Sequence, residues 1–220
     1  MHDVDTIVFD ILGTLVDDAA GLRAALAERV PAEDVDDLVA LWRTTVGAEH
    51  RRIVDGQRGY VVGEVLDREA AHAVAERAGL TDVDTLVRAA GHRPAWPDTA
   101  AGLAGLAADH ELIGLSNADR TALLRMNASA GLRWHTALST EAVRSYKPDP
   151  AVYRMAIECA DRPPERMLMV AAHAWDLRGA RAAGMRTAYL DRPGADAPTA
   201  EDRFDIELTA LGDLGAVLSR

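Results

Sequence analysis

The chain has 220 residues, 49% of them hydrophobic and 27% charged, with a formal net charge of −11 at pH 7. That suits one globular domain, or a core with a smaller inserted module, and it argues against nucleic acid or an anionic membrane as partner. The single Cys159 cannot form an internal disulfide, no basic stretch precedes an apolar N-terminal run, and no apolar run nears the roughly 20 residues that span a bilayer, so a cytoplasmic protein is expected.

The run Thr6-Ile-Val-Phe9 reads as a buried strand, ending at Asp10 and followed by Gly13 and Thr14. Residues 17–93 read as helical throughout. Leu22, Leu26 and Val30 recur at helical spacing until Pro31; Asp34 is placed to cap a helix whose Val35, Leu38, Val39 and Trp42 form an apolar stripe; further helices are expected over about 66–79 and 81–91. Arg93-Pro-Ala-Trp-Pro97 is a rigid connector. Beyond it helices and strands alternate: helix 98–109, strand 111–115, helix 119–130, strand 136–139, helix 150–160, strand 167–171, helix 175–183, strand 187–190, a loop over 191–202, a short strand near 205–208 and a helix over 210–219. Such alternation predicts an α/β fold, a doubly wound parallel sheet with a Rossmann-like core. One strand alone precedes the helical block, so residues 1–16 and 94–220 are expected to form the core and 17–93 an inserted helical cap.

In a parallel sheet of this kind, ligands bind just past the carboxyl ends of strands. Four segments lie there. Asp10 to Thr14 follows the first strand, offering a carboxylate that can act as nucleophile and a glycine turn whose N–H groups can hold an anion. Ser116-Asn117 follows the second, Lys147-Pro148 lies in the loop after Ser139, and Ala171-Ala-His-Ala-Trp-Asp176 follows Met167-Leu-Met-Val170. His2, His50, His72, His92, His110 and His135 show no metal-ligand spacing, and no metal or cofactor is expected.

The order of these four motifs resembles the haloacid dehalogenase-like superfamily over essentially the whole chain. Most members are magnesium-dependent phosphatases, with a second Asp two residues after the nucleophile and a Gly-Asp pair before the last acidic residue. Here Leu12 stands at the first position and Ala171 and Ala172 at the second, which leaves too few oxygen ligands for a hard divalent cation. The chain is instead similar to the (S)-2-haloacid dehalogenase (type II) branch, through Leu41-Trp-Arg43, Ser116-Asn117, Tyr146-Lys-Pro-Asp149, Val152-Tyr153 and Ala174-Trp-Asp176.

The resemblance implies hydrolysis of a small 2-haloacid, L-enantiomers and fluoroacetate among the candidates. Asp10 displaces the halide from the back and forms an ester, which water cleaves at the Asp10 carbonyl, giving the inverted 2-hydroxy acid. It implies that Arg43 and Asn117 cradle the halide, that Thr14, Ser116 and Lys147 hold the substrate carboxylate and position Asp10, that Tyr153 supports the Lys147 side, and that Asp176 pairs with Lys147 and orients the hydrolytic water. Trp175 is a candidate pocket wall. The family commonly has Tyr at the place of Leu12, and Ser-Ser-Asn where this chain has Ala171, Ala172 and His173, which makes His173 a candidate for water activation or substrate binding. Family members often form homodimers. The alternatives are a magnesium phosphatase of a small phosphoester, which Leu12 and Ala172 oppose, and a non-enzymatic binding protein, which the set Asp10, Arg43, Lys147 and Asp176 opposes.

Overall fold

The computed structural model describes residues 3–219. The first strand, β1 (Thr6–Asp10), is buried along its whole length, as its unbroken β-branched and aromatic run requires of a strand covered on both faces. Four helices follow: α1 (Ala20–Ala27), α2 (Val35–Val54), α3 (Gly63–Ala78) and α4 (Val83–Ala90). Then come α5 (Thr99–Leu106), β2 (Glu111–Ser116), α6 (Arg120–Ser129), β3 (Thr136–Ser139), α7 (Pro150–Ala160), β4 (Met167–Ala171), α8 (Ala174–Ala182), β5 (Arg186–Leu190), β6 (Ile206–Leu208) and α9 (Leu214–Leu218).

The strands form one parallel sheet in the order β3-β2-β1-β4-β5-β6. Strand order therefore reverses between β1 and β4, where the doubly wound fold opens a crevice beyond the strand ends. Asp10 pairs with Leu115 of β2 at that edge, and Phe9 with Val170 of β4. Side chains alternate across the sheet. Ile7 and Phe9 pack with Leu103, Leu112 and Leu214 on one face, and Val8 with Val152, Tyr153 and Leu177 on the other. Two residues beyond Val8, Asp10 projects to the Tyr153 side.

Helices α1 to α4 have an apolar core of their own, built on Leu22, Leu26, Val35, Leu38, Val39, Trp42, Val74 and Leu86, with Ala70, Ala71 and Ala75 allowing close approach. Each fully buried large side chain contributes about 1.5–3 kcal/mol, which outweighs weak helix ends. Asp34 precedes α2 but makes no side-chain capping bond, contrary to expectation. Elsewhere capping holds: Asp82 accepts from Thr85 N, Asp119 from Ala122 N and Asp149 from Ala151 N.

The helical block is also not continuous. Residues 55–62 form no helix, and their Tyr60 and Val61 pack with Ile53, Leu66 and Tyr146 where the insertion meets the α/β core. Gly56 and Gly59 supply the break that helical periodicity elsewhere in the block conceals. Among the described residues no helix is long and apolar enough to cross a membrane.

Candidate active site

Asp10 is set by the turn after β1. Gly13 sits at φ +79°, a conformation that favours glycine, and the turn closes through Leu15 N to Ile11 O at 2.9 Å and Gly13 N to Val16 O at 3.0 Å. This folds Thr14 back, so that its hydroxyl donates to Asp10 Oδ2 at 2.5 Å and accepts from Ala172 N at 2.9 Å. Thr14 thus ties the ends of β1 and β4 together and aims the carboxylate.

Lys147 arrives from the loop before α7. The Lys147–Pro148 bond is cis, Asp149 caps the helix, and the Asn117 side-chain oxygen accepts from Lys147 N at 2.9 Å. The ammonium lies 2.8 Å from Asp10 Oδ1 and 2.8 Å from Asp176 Oδ2. Asp176, in the first turn of α8, accepts a further bond on Oδ1 from the Tyr153 hydroxyl at 2.6 Å. Lys147, Asp176 and Tyr153 are all buried. Burial disfavours the ammonium of Lys147, but Asp10 and Asp176 more than compensate and hold its pKa above the ordinary value. Burial pushes the Asp176 carboxyl up against the pull of Lys147, and burial and Asp176 push the Tyr153 hydroxyl well above its usual range.

These groups adjoin a cavity of about 560 Å³ between the strand ends and helices α1 to α4. Asp10, Lys147 and Asn117 line its floor, and Leu12, His173 and Trp175 one wall. Across it, Arg43 of α2 ion-pairs with Asp18 and donates from Nη1 to Gly194 O at 3.2 Å. His173 Nε2 lies 3.1 Å from Leu12 O, which can only accept, so that nitrogen carries the proton. The ring stacks on Trp175 with centroids 5.6 Å apart.

Eight of the eleven residues singled out from the sequence thus touch or bound one site: Asp10, Leu12, Arg43, Asn117, Lys147, His173 and Trp175 at the cavity, and Thr14 against Asp10. The other three lie behind it. Ser116 is fully buried, its hydroxyl accepts from Ala118 N, and it does not line the cavity. Tyr153 donates to Asp176, which in turn accepts from Lys147. Asp176 has no exposure, and its two oxygens are engaged by Lys147 and Tyr153. Thr14 is likewise fully buried, its hydroxyl on Asp10.

The sequence reading gave no site role to Asp18, His50, Asp67, Arg93 or Gly194, all of which line the cavity. It also passed over Arg192, which donates to Thr14 O at 3.0 Å and pairs with Asp98 at 2.8 Å, bracing the nucleophile turn. Their only signal was position, in the helical insertion or in the 191–202 loop.

The donor set does not fit a magnesium ion. The Lys147 ammonium bridges the two carboxylates such an ion would need, and Leu12 and Ala172 bring no oxygen-bearing side chain. Among the described residues no group of three or more His, Cys, Asp or Glu could hold a metal ion.

A family model of haloacid dehalogenase-like hydrolases matches residues 4–184. The chain belongs to that family. Among curated relatives it is 30% identical to (S)-2-haloacid dehalogenase 1 of Pseudomonas sp. (strain CBS-3), over 87% of this chain and 86% of the relative. Among solved structures of haloacid dehalogenase-like proteins, it superposes on a defluorinating L-2-haloacid dehalogenase with a TM-score of 0.87 and 30% identity, covering 99% of this chain and 96% of the other. It superposes equally well on the L-2-haloacid dehalogenase of Xanthobacter autotrophicus with chloropropionic acid covalently bound, with a TM-score of 0.86, 25% identity and 98% of each chain covered.

Proposed function

We propose that this chain is a hydrolase of small 2-haloacids that works through an ester on Asp10 and takes the L-enantiomer. The observation that carries the reading is the placement of Asp10, held between Thr14 and Lys147 and facing a cavity with the Arg43 guanidinium across it.

An Asp10 oxygen attacks the halogen-bearing carbon from behind. The C–O bond forms as the carbon–halogen bond breaks, and the halide leaves with the bonding pair. Asp10 and the substrate carboxylate are both anions, and at low dielectric their repulsion is severe. Lys147 and Arg43 supply the compensating charge. Asn117, whose oxygen accepts from Lys147 N, keeps its amide N–H groups as donors, and with Arg43 it lines the cavity where a halide would leave.

Water then adds to the Asp10 carbonyl carbon. The acyl–oxygen bond breaks, the alkoxide takes a proton, and the carboxylate returns with net release of one proton. Inversion follows from a single displacement at carbon. Asp176 and Tyr153 act by holding Lys147. His173, with its proton on Nε2, has Nδ1 free to accept one from the water. Helices α1 to α4 serve as a cap over the floor of the site. We add a cytoplasmic location, which the single Cys159 fits, and, from the family resemblance, a homodimer.

The test is halide release from both 2-chloropropionate enantiomers and from fluoroacetate, in chelator, by the wild-type chain and by Asp10→Asn. Release from one enantiomer, abolished by the substitution, is the expected result; fluoride release would extend the leaving-group range. Turnover by Asp10→Asn would overturn the mechanism, and magnesium-dependent phosphoester hydrolysis without halide release would overturn the function.

A further inference from the structure

The cavity is larger than its floor requires. At about 560 Å³ it lies within the roughly 300–1,000 Å³ of pockets that enclose much bigger ligands than a three-carbon acid. Its surplus is bounded by His50 of α2, Asp67 of α3 and Arg93 of the connector.

The Arg93–Asp67 pair is poorly closed. One Nη2 to Oδ2 contact of 3.4 Å joins them, while their side chains are only 12% and 28% exposed. Among the described residues Arg93 Nε has no acceptor. A buried ion pair needs good geometry and filled hydrogen bonds to offset its desolvation, and a pair serving only to tie connector to helix would be closed at normal hydrogen-bond distance. His50, which lines the same cavity, stacks on Tyr146 with ring centroids 3.9 Å apart and has no side-chain hydrogen bond among the described residues. Three polar side chains with unspent hydrogen-bonding capacity therefore adjoin one space.

We propose that His50, Asp67 and Arg93 form a second polar subsite, and that the preferred 2-haloacid carries a distal uncharged group that both donates and accepts hydrogen bonds, a carboxamide above all. This deepens the dehalogenase reading and rests on it. A guanidinium beside a carboxylate matches an amide, whose carbonyl oxygen accepts from Arg93 and whose N–H donates to Asp67. Asp67 offsets the charge of Arg93, so a second carboxylate gains little there and is repelled by Asp67. Burial holds the His50 imidazole neutral, its pKa lowered to about 4, so it adds no charge to attract an anion. Arg51 also lines the cavity, but its side chain is exposed to solvent.

The experiment compares kcat/KM for three 2-chloro acids of matched length, 2-chloro-4-carbamoylbutanoate, its apolar isostere 2-chloro-5-methylhexanoate and the diacid 2-chloroglutarate, with 2-chloropropionate as reference. The expected result is a preference for the amide over both others on the order of tenfold or more, with the amide-to-isostere ratio collapsing toward one in Arg93→Met. Equal turnover of amide and isostere, a preference for the diacid, or a ratio unchanged in Arg93→Met would overturn the proposal. The wild-type comparison decides the matter even where the variant fails to fold. Absence of chloride release from 2-chloropropionate as well would instead remove the dehalogenase reading, and this subsite assignment with it.

Discussion

Arg43 of the helical insertion and Gly194 of the loop after β5 meet across the cavity mouth, the guanidinium donating to the Gly194 carbonyl at 3.2 Å. A Cβ at position 194 would stand 2.8 Å from Arg43 Nη1, on a backbone at φ +75°. Gly194→Ala should therefore cost about 1–2 kcal/mol of stability through the left-handed backbone. It should also displace Arg43 and lower kcat/KM for halide release by on the order of tenfold or more, since small misplacements at a reacting centre are expensive. A thermal melt and steady-state kinetics read the two effects. Wild-type kinetics in a folded variant would show that Arg43 does not need this contact.

Tyr153 should matter through Asp176. Its hydroxyl is buried and donates at 2.6 Å to Asp176 Oδ1. Tyr153→Phe leaves the carboxylate one donor short, a loss of about 1.5–3 kcal/mol for a bond to a charged group. Urea denaturation checks the stability. Because Tyr153 does not touch the cavity, kcat should fall while KM stays near its wild-type value. A change confined to KM would return Tyr153 to a substrate contact.

Lys147→Met would leave Asp10 and Asp176 as neighbouring buried carboxylates with no cation between them. Removing one partner of such a network costs about 3–5 kcal/mol, and activity should vanish. The pH dependence has a definite sign. The raised pKa of Lys147 means that its contribution is complete below about 10.4, the unfolded value, and is lost as pH rises through the native one. In the variant that alkaline loss disappears. Its stability should instead improve on acidification, as one carboxyl of the pair takes up a proton. Denaturant midpoints at pH 5, 7, 9 and 11 distinguish the two profiles.

His50 predicts an acid-sensitive element. Burial first, and the charge of Arg51 second, lower its pKa from 6.5 to about 4. The unfolded chain thus binds a proton that the folded chain refuses, and the stability this group contributes is lost as pH falls from about 6.5 toward 4. His50→Gln should flatten the fall in thermal midpoint over that window. An equally steep fall in the variant would assign the acid sensitivity to other groups.

Much of this was legible in the sequence for a local reason. Apolar runs ending at Asp10, Ser116 and Ala171 mark parallel strands, and the residues just beyond them lie at the sheet's carboxyl edge whatever else the chain does. Four such segments in order also carried the family resemblance. The break over 55–62 escaped because helical spacing on both sides of it hid two glycines.

Roles within the site were less legible. Thr14, Ser116, Tyr153 and Asp176 carry the right chemistry, but which of them faces the cavity depends on how neighbouring elements cover them, and all four are buried beneath it. Asp18, Asp67, Arg93 and Gly194 had no motif to mark them. Local patterning alone sets the order of chemistry along the chain: a carboxylate after β1, an amide after β2, a lysine before α7 and a second carboxylate at the start of α8. The resemblance already implied that Lys147 serves Asp10 and pairs with Asp176; the packed fold adds that its ammonium stands between the two, that Gly194 holds Arg43, and that a loosely closed Arg93–Asp67 pair borders the same cavity. Periodicity and turn chemistry act over a few residues, whereas these contacts join positions 26 to 151 apart and exist only once the insertion has packed against the sheet.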